Sequence, residues 1–282
     1  MEYSFASDLK SIREMLSITQ NELANEIGVE QVTISRNELG ITNPSNSLME
    51  KIYSYAFSKG ININKLKEML WREETETKLL FHGSKKEIEG EIDIKKGRIN
   101  NDFGQGFYVG ESYEQAISYV SNYNNSSIYY ISFDDRDLSC KKYNVNQEWM
   151  FTIAYYRGAL DKYNNHPLIN KIINESRNYD YIIAPIADNR MFHIINLFTS
   201  GELTDEQCKH CLAATNLGMQ YVLKTSKAAC RTKILERGYI PNNEREYYQN
   251  IKTNDALLGD NKVKLARIQY RGKGKYIDEI LV

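Results

Sequence analysis

The chain lacks most of the features that would mark a secreted, membrane-bound or fibrous protein. No apolar run approaches the roughly 20 residues that a membrane-spanning helix needs. The opening MEYSFASDLK has neither the basic start nor the apolar stretch of a secretory signal. Four cysteines in 282 residues are too few for a disulfide framework, which implies a reducing, cytoplasmic setting. Neither sign of charge predominates. With 36 Lys and Arg against 37 Asp and Glu, the net charge of −1 gives no global pull toward nucleic acid or an anionic membrane. No internal repeat is visible. Hydrophobic residues at 41% and charged residues at 26% suit a globular protein of one large domain or two modest ones, long enough to bury a sizeable core.

Residues 1–70 read as a separate helical unit. Leu9, Ile12 and Leu16 fall at helical spacing. Thr19 and Glu22 have the spacing of a capping box, which starts a second helix with Leu23, Ala24 and Ile27 on its buried face. Gly28 ends that helix. After the Gly28-Val29 turn, residues 30–38 form a third, short helix whose apolar positions are Val32 and Ile34. Asn43 to Asn46 make a loop and cap. Leu48 to Phe57 and Asn64 to Leu70 follow as a fourth and a fifth helix.

This pattern resembles the helix-turn-helix domain of phage repressors and their bacterial relatives. The Thr19-Gln20 pair, Leu23-Ala24, Gly28-Val29 and the Ile34-Ser35 to Glu38 segment stand at that family's spacing. The resemblance implies that the third helix enters the major groove, as a dimer on a two-fold site. It would offer Gln31, Thr33, Ser35, Arg36 and Asn37. Gln31 and Asn37 suit adenine edges, and Arg36 suits guanine or phosphate. Gln20 stands where family members contact a phosphate. Seven Lys and Arg against nine Asp and Glu in residues 1–70 weaken the counterion-release drive for DNA. A scaffold for protein contact is therefore the competing reading of this unit.

Residues 71–78 read as a charged linker, or as an extension of the fifth helix, and residues 79–282 as an α+β domain. Strands are expected at Lys78–His82, Gly106–Val109, Ser127–Phe133, Tyr179–Pro185 and Met219–Leu223. Helices are expected at Glu111–Val120, Trp149–Asp161, Asp188–Phe198 and Thr204–Ala214. The end of the chain gives no clear pattern.

Two motifs carry the chemistry. Phe81-His82-Gly83-Ser84 closes a strand, and Asp102-Phe103-Gly104-Gln105-Gly106-Phe107-Tyr108 follows some twenty residues later. Glycines let backbone approach a ligand, a tyrosine can stack on a ring, and a histidine can bond a sugar hydroxyl. Together they resemble the first two signature motifs of ADP-ribosyltransferases of the His-Tyr-Glu class, the group of diphtheria toxin and the poly(ADP-ribose) polymerases. That resemblance implies a split β-sheet fold and NAD as co-substrate, without a metal. It places His82, Gly83 and Ser84 at the ribose and carboxamide, Tyr108 under the nicotinamide, and Tyr119 or Tyr113 over it, with Tyr119 at the better spacing. The family's catalytic Glu position is occupied here by Gln220, in Gln220-Tyr221-Val222. An amide can bond a ribose but cannot act as a base. Asp188 is the candidate for the missing carboxylate, with helix capping as its alternative role, and Arg190 is a candidate partner for the diphosphate.

Three further segments invite a reading. Arg98, Asn100 and Asn101 form a loop of either adenosine contact or plain solvation. Cys208, His210 and Cys211 lack a second cysteine pair at zinc-site spacing and read as a helical face rather than a metal site. Residues 262–276 hold six Lys and Arg with Tyr270 and Tyr276 interleaved, a pattern of single-stranded nucleic-acid contact or of a solvated strand and loop.

The combined expectation is a cytoplasmic mono-ADP-ribosyltransferase fused to a DNA-binding module. It would act on a protein or nucleic-acid acceptor, as a toxin or defence effector held by a neutralising partner protein. The alternative is a transcription regulator whose second domain senses NAD or ADP-ribose without turnover.

Overall fold

A computed structural model describes residues 2–215 and 218–282. Five helices come first: α1 (Phe5–Met15), α2 (Gln20–Ile27), α3 (Gln31–Glu38), α4 (Asn46–Ser58) and α5 (Ile63–Glu74). Then come β1 (Lys78–Ser84), β2 (Phe107–Gly110), α6 (Tyr113–Val120), β3 (Ser127–Phe133), β4 (Cys140–Lys142), α7 (Gln147–Tyr156), α8 (Pro167–Ser176) and β5 (Tyr181–Pro185). The chain continues with α9 (Asn189–Thr199), α10 (Asp205–Ala213), β6 (Met219–Leu223), α11 (Ser226–Cys230), β7 (Thr232–Tyr239), α12 (Asn242–Gln269) and α13 (Ile277–Ile280). A helical N-terminal region followed by strands and helices makes the fold α+β. No helix among the described residues is long and apolar enough to cross a membrane.

The chain divides into two compact units. The first holds residues 1–90, 112–133 and 233–252; the second holds 91–111, 134–232 and 253–282.

In the first unit the caps form as the residues dictate. Thr19 accepts from the Glu22 amide while the Glu22 carboxylate accepts from the Thr19 amide at 2.7 Å, closing the box that starts α2. Gly28 then adopts φ +65°, a left-handed turn that leads into α3. Leu9, Ile12, Leu23, Ile34 and Ile52 are fully buried between these helices. Each contributes about 1.5–3 kcal/mol of burial, enough to hold short helices that would not stand alone. Strands of this unit run in the order β1-β3-β7, with β1 and β3 antiparallel and His82 opposite Tyr129. A buried ionic cluster ties α5 to β7 and α1: the Lys67 ammonium lies 2.6 Å from both Asp8 and Glu236. Nearby, Glu244 of α12 accepts from Tyr113 at 2.6 Å and from Asn64 at 3.0 Å. Burial pushes its carboxyl up to about 7.

The second unit orders its strands β4-β5-β6-β2, with β4 parallel to β5 and the other pairs antiparallel. Trp149, Phe151, Ile195, Phe198 and Leu212 pack in the core against these strands.

The structure differs from the sequence reading in several places. The helix expected at Trp149–Asp161 stops at Tyr156, because Gly158 takes φ +76° and turns the chain. Of the two readings of residues 71–78, Trp71 to Glu74 follow the second and extend α5. The basic run, expected as a solvated strand and loop when it contacts no nucleic acid, is helical through Gln269. Within it the Tyr270 ring stacks on His210 with centroids 3.6 Å apart, so that face is not free for a base. Cys208 and Cys211, by contrast, are buried on helix α10 as expected.

Candidate functional site

Helix α3 is held by its buried side and exposes the rest. Ile34 is buried in the core of the first unit, and Arg13 anchors Glu38 at 2.7 Å. Gln31, Val32 and Arg36 are exposed, while Thr33 and Ser35 are half-buried. A groove of about 380 Å³ beside α3 is lined by Val32, Thr33, Arg36, Ser45, Ser47 and Lys51 among others. The residues named bring two cations and three hydroxyls to one side of the helix, a set suited to phosphate.

Two of the expected DNA contacts need correction. Asn37 does not present an amide to a base: it is buried and donates to the Thr33 carbonyl at 2.8 Å. Gln20 is not a free phosphate ligand. Its carbonyl accepts from Gln31 at 2.7 Å and its amide donates to Glu38, so it orients Gln31 instead. Val32, read from the sequence as an apolar position of α3, is 43% exposed near the start of the helix, where it suits a thymine methyl. Apolar type alone could not distinguish that use from packing.

The motifs at His82-Gly83 and at residues 102–108 fall in different units. His82 is half-buried in β1, and the Ser84 hydroxyl donates to the Lys86 carbonyl at 2.7 Å, closing a turn. Gly83 has a packing reason to be glycine. A Cβ there would lie 2.4 Å from the Ala116 carbonyl of α6 and 2.9 Å from Val120. Tyr119 is 60% exposed on α6, whereas Tyr113, the other aromatic candidate, is fully buried on Glu244 and cannot cover a nicotinamide.

In the second unit, Tyr108 is half-buried in β2. Its hydroxyl donates to the Gly104 carbonyl at 2.6 Å and accepts from the Phe103 amide at 3.0 Å, folding the glycine-rich segment onto itself. Gly106 is pressed against β6, where a Cβ would come 2.7 Å from the Leu223 carbonyl. Lys224 donates to the Phe103 and Gln105 carbonyls, and burial together with the Arg177 charge lowers its ammonium to about 8.

Gln220 is buried on β6, and its amide is committed. It donates to Asp102 at 2.8 Å and to the Pro185 carbonyl at 3.2 Å. Asp102 also accepts from the Ala187 amide at 3.0 Å, and the Arg157 Nε lies 2.9 Å from its other oxygen. Burial raises the Asp102 carboxyl against the pull of Arg157, Gln220 and the Ala187 amide. Asp188 takes its alternative role: its carboxylate accepts from the Met191 amide at 2.8 Å and caps α9. Arg190 donates to the Ala256 carbonyl at 2.7 Å and lies 3.8 Å from Asp188 and 3.5 Å from Asp260. Sequence reasoning missed the roles of Asp102 and Lys224. The signal was available, since one begins the glycine-rich motif and the other directly follows Met219–Leu223.

A helix-turn-helix family model matches residues 9–53, and the model described as protein of unknown function (DUF3990) matches residues 79–234, more than half of the chain. No curated protein and no solved structure matches it.

Proposed function

Because the chain belongs to the DUF3990 family, described as proteins of unknown function, we propose a function from its own residues. The protein is a DNA-binding regulator. Helix α3 reads a major groove through Gln31, Val32, Thr33 and Arg36, and the family domain takes up NAD or ADP-ribose. The observation that carries the DNA reading is the exposure of Gln31, Val32 and Arg36 on a helix fixed from behind by Ile34 and Asn37. The motif pair His82-Gly83 and Gly106-Phe107-Tyr108 supports the nucleotide reading.

A second reading, NAD-dependent mono-ADP-ribosyl transfer to a macromolecular acceptor, is favoured by one observation. The carboxylate absent at position 220 is supplied next to it by Asp102. Against it, the Gln220 amide and the Asp188 carboxylate both have structural partners. One experiment separates the readings. The full chain is titrated with NAD by calorimetry, and nicotinamide release is followed in the presence of cell lysate. Binding without release supports the sensor. Release that Asp102→Asn abolishes supports the transferase. No binding, with His82→Ala and Tyr108→Ala indistinguishable from wild type, rejects both nucleotide readings.

A further inference from the structure

Helix α12 shows a face that no described residue of the second unit covers. Its packed side is well defined. The Ala256 carbonyl accepts from Arg190, the Val263 carbonyl from the Cys211 thiol and the Arg267 carbonyl from Gln207 at 3.0 Å, and Gly259 and Ala266 are buried. The opposite side carries Asn254, Leu257, Leu258, Asn261, Leu265 and Ile268, all exposed. The four apolar members are 61–74% exposed, an unusual density of bare leucine and isoleucine for a helix otherwise charged. Positions 254, 258, 261, 265 and 268 alternate steps of four and three, the spacing of a coiled-coil seam.

Charge along the same segment is uneven. Within residues 254–268, Asp255 and Asp260 lie in the first half, and Lys262, Lys264 and Arg267 follow in the second. A parallel pair of such helices would gather the cations of both copies at one end. An antiparallel pair sets the acidic half of each against the basic half of the other, and like charges are kept apart. In that arrangement Leu258 meets Leu265 of the other copy, Asn254 meets Ile268, and Asn261 meets itself. A side-chain amide both donates and accepts, so two Asn261 residues can satisfy one another at the axis and fix the register.

We propose that residues 254–268 of α12 seat a second copy of this chain, antiparallel about a two-fold axis at Asn261. The proposal does not depend on the nucleotide reading. Two heptads cover less than the roughly 800 Å² per partner of a standard interface, so the association is weak and reversible.

Sedimentation equilibrium of the full chain between about 1 and 100 µM tests it. Reversible dimerisation is expected. Leu258→Glu combined with Leu265→Glu should raise the dissociation constant at least tenfold while leaving the far-ultraviolet circular dichroism unchanged. Cross-linking gives the direction. In a Cys230→Ser background, which removes the exposed thiol, a mixture of Leu258→Cys and Leu265→Cys chains should form a disulfide dimer on mild oxidation, and each variant alone should form little. A wild type that stays monomeric throughout overturns the proposal, whatever else binds this face. So does a dimer indifferent to the double Glu variant. Self-cross-linking of each single-cysteine variant would mean a parallel pair and would overturn the arrangement.

Discussion

Gln220 donates to Asp102 at 2.8 Å, and both side chains are buried. The residue expected at a ribose is therefore spent on orienting a carboxylate, at the meeting of β6, the glycine-rich segment and the Pro185-Ile186-Ala187 turn. Removing it with Gln220→Ala leaves Asp102 one donor short and should cost about 1–3 kcal/mol in denaturant unfolding.

Gln220→Glu is expected to behave differently. It sets a second carboxylate beside Asp102, and the native state then holds a proton that the unfolded chain releases near its ordinary carboxyl range. A carboxyl raised in the native state stabilises at low pH and loses that stability as pH rises. The deficit relative to wild type should be smallest below about pH 4 and largest near neutrality. A constant deficit across that range would contradict the pairing.

Glu244 gives a second pH signature, in the first unit. Its carboxyl is raised to about 7, mainly by burial, against hydrogen bonds from Tyr113 and Asn64. The native state therefore binds more protons than the unfolded chain between the ordinary glutamate range and neutrality. Stability should fall by about 3 kcal/mol as pH rises through that window and then level off. Glu244→Gln should flatten this slope and be the more stable protein at pH 8. An unchanged slope in unfolding experiments from pH 4 to 8 would refute the assignment.

Gly83→Ala separates packing from ligand contact. The added Cβ meets a backbone carbonyl at 2.4 Å, which cannot swing aside. A loss of about 1–3 kcal/mol is expected without any nucleotide present. A variant as stable as wild type that fails only in NAD binding would return this glycine to the ligand.

Lys67 is a cation held 2.6 Å from both Asp8 and Glu236. Lys67→Met keeps its length and removes its charge, leaving the buried Asp8 and half-buried Glu236 carboxylates without their shared cation. A destabilisation of about 3–5 kcal/mol is expected. Adding Asp8→Asn and Glu236→Gln should recover part of it, since the cost lies in the uncompensated charges.

The N-terminal helices were legible because each carries its own punctuation. Thr19 and Glu22 close their box, and Gly28 takes the left-handed turn. Ser127–Phe133 and Met219–Leu223 are strands with the expected limits, since their β-branched and aromatic residues leave little alternative. Helix α12 was not legible. From residue 254 on, its bare leucines face outward and its packed face is small, at Gly259, Val263 and Ala266, so the usual contrast of apolar inside and polar outside is inverted there. For the site, sequence gave residue types without their partners. Asn37 looked like a base reader because burial leaves no local mark, and Gln220 like a ribose ligand because its partner Asp102 lies far away in the sequence.

The central claim is that α3 reads DNA. The direct measurement is fluorescence anisotropy of the full chain on fragments selected from its own genome, at several salt concentrations. Wild type should bind a two-fold site, more weakly as salt rises. Arg36→Ala and Gln31→Ala should each lose about 1–3 kcal/mol and relax preference at their own base positions. Asn37→Ala should instead lower stability. Failure to select any fragment at low salt, or equal affinity of the Arg36 and Gln31 variants with wild type, would contradict the account and leave the helix-turn-helix as a protein-contact scaffold.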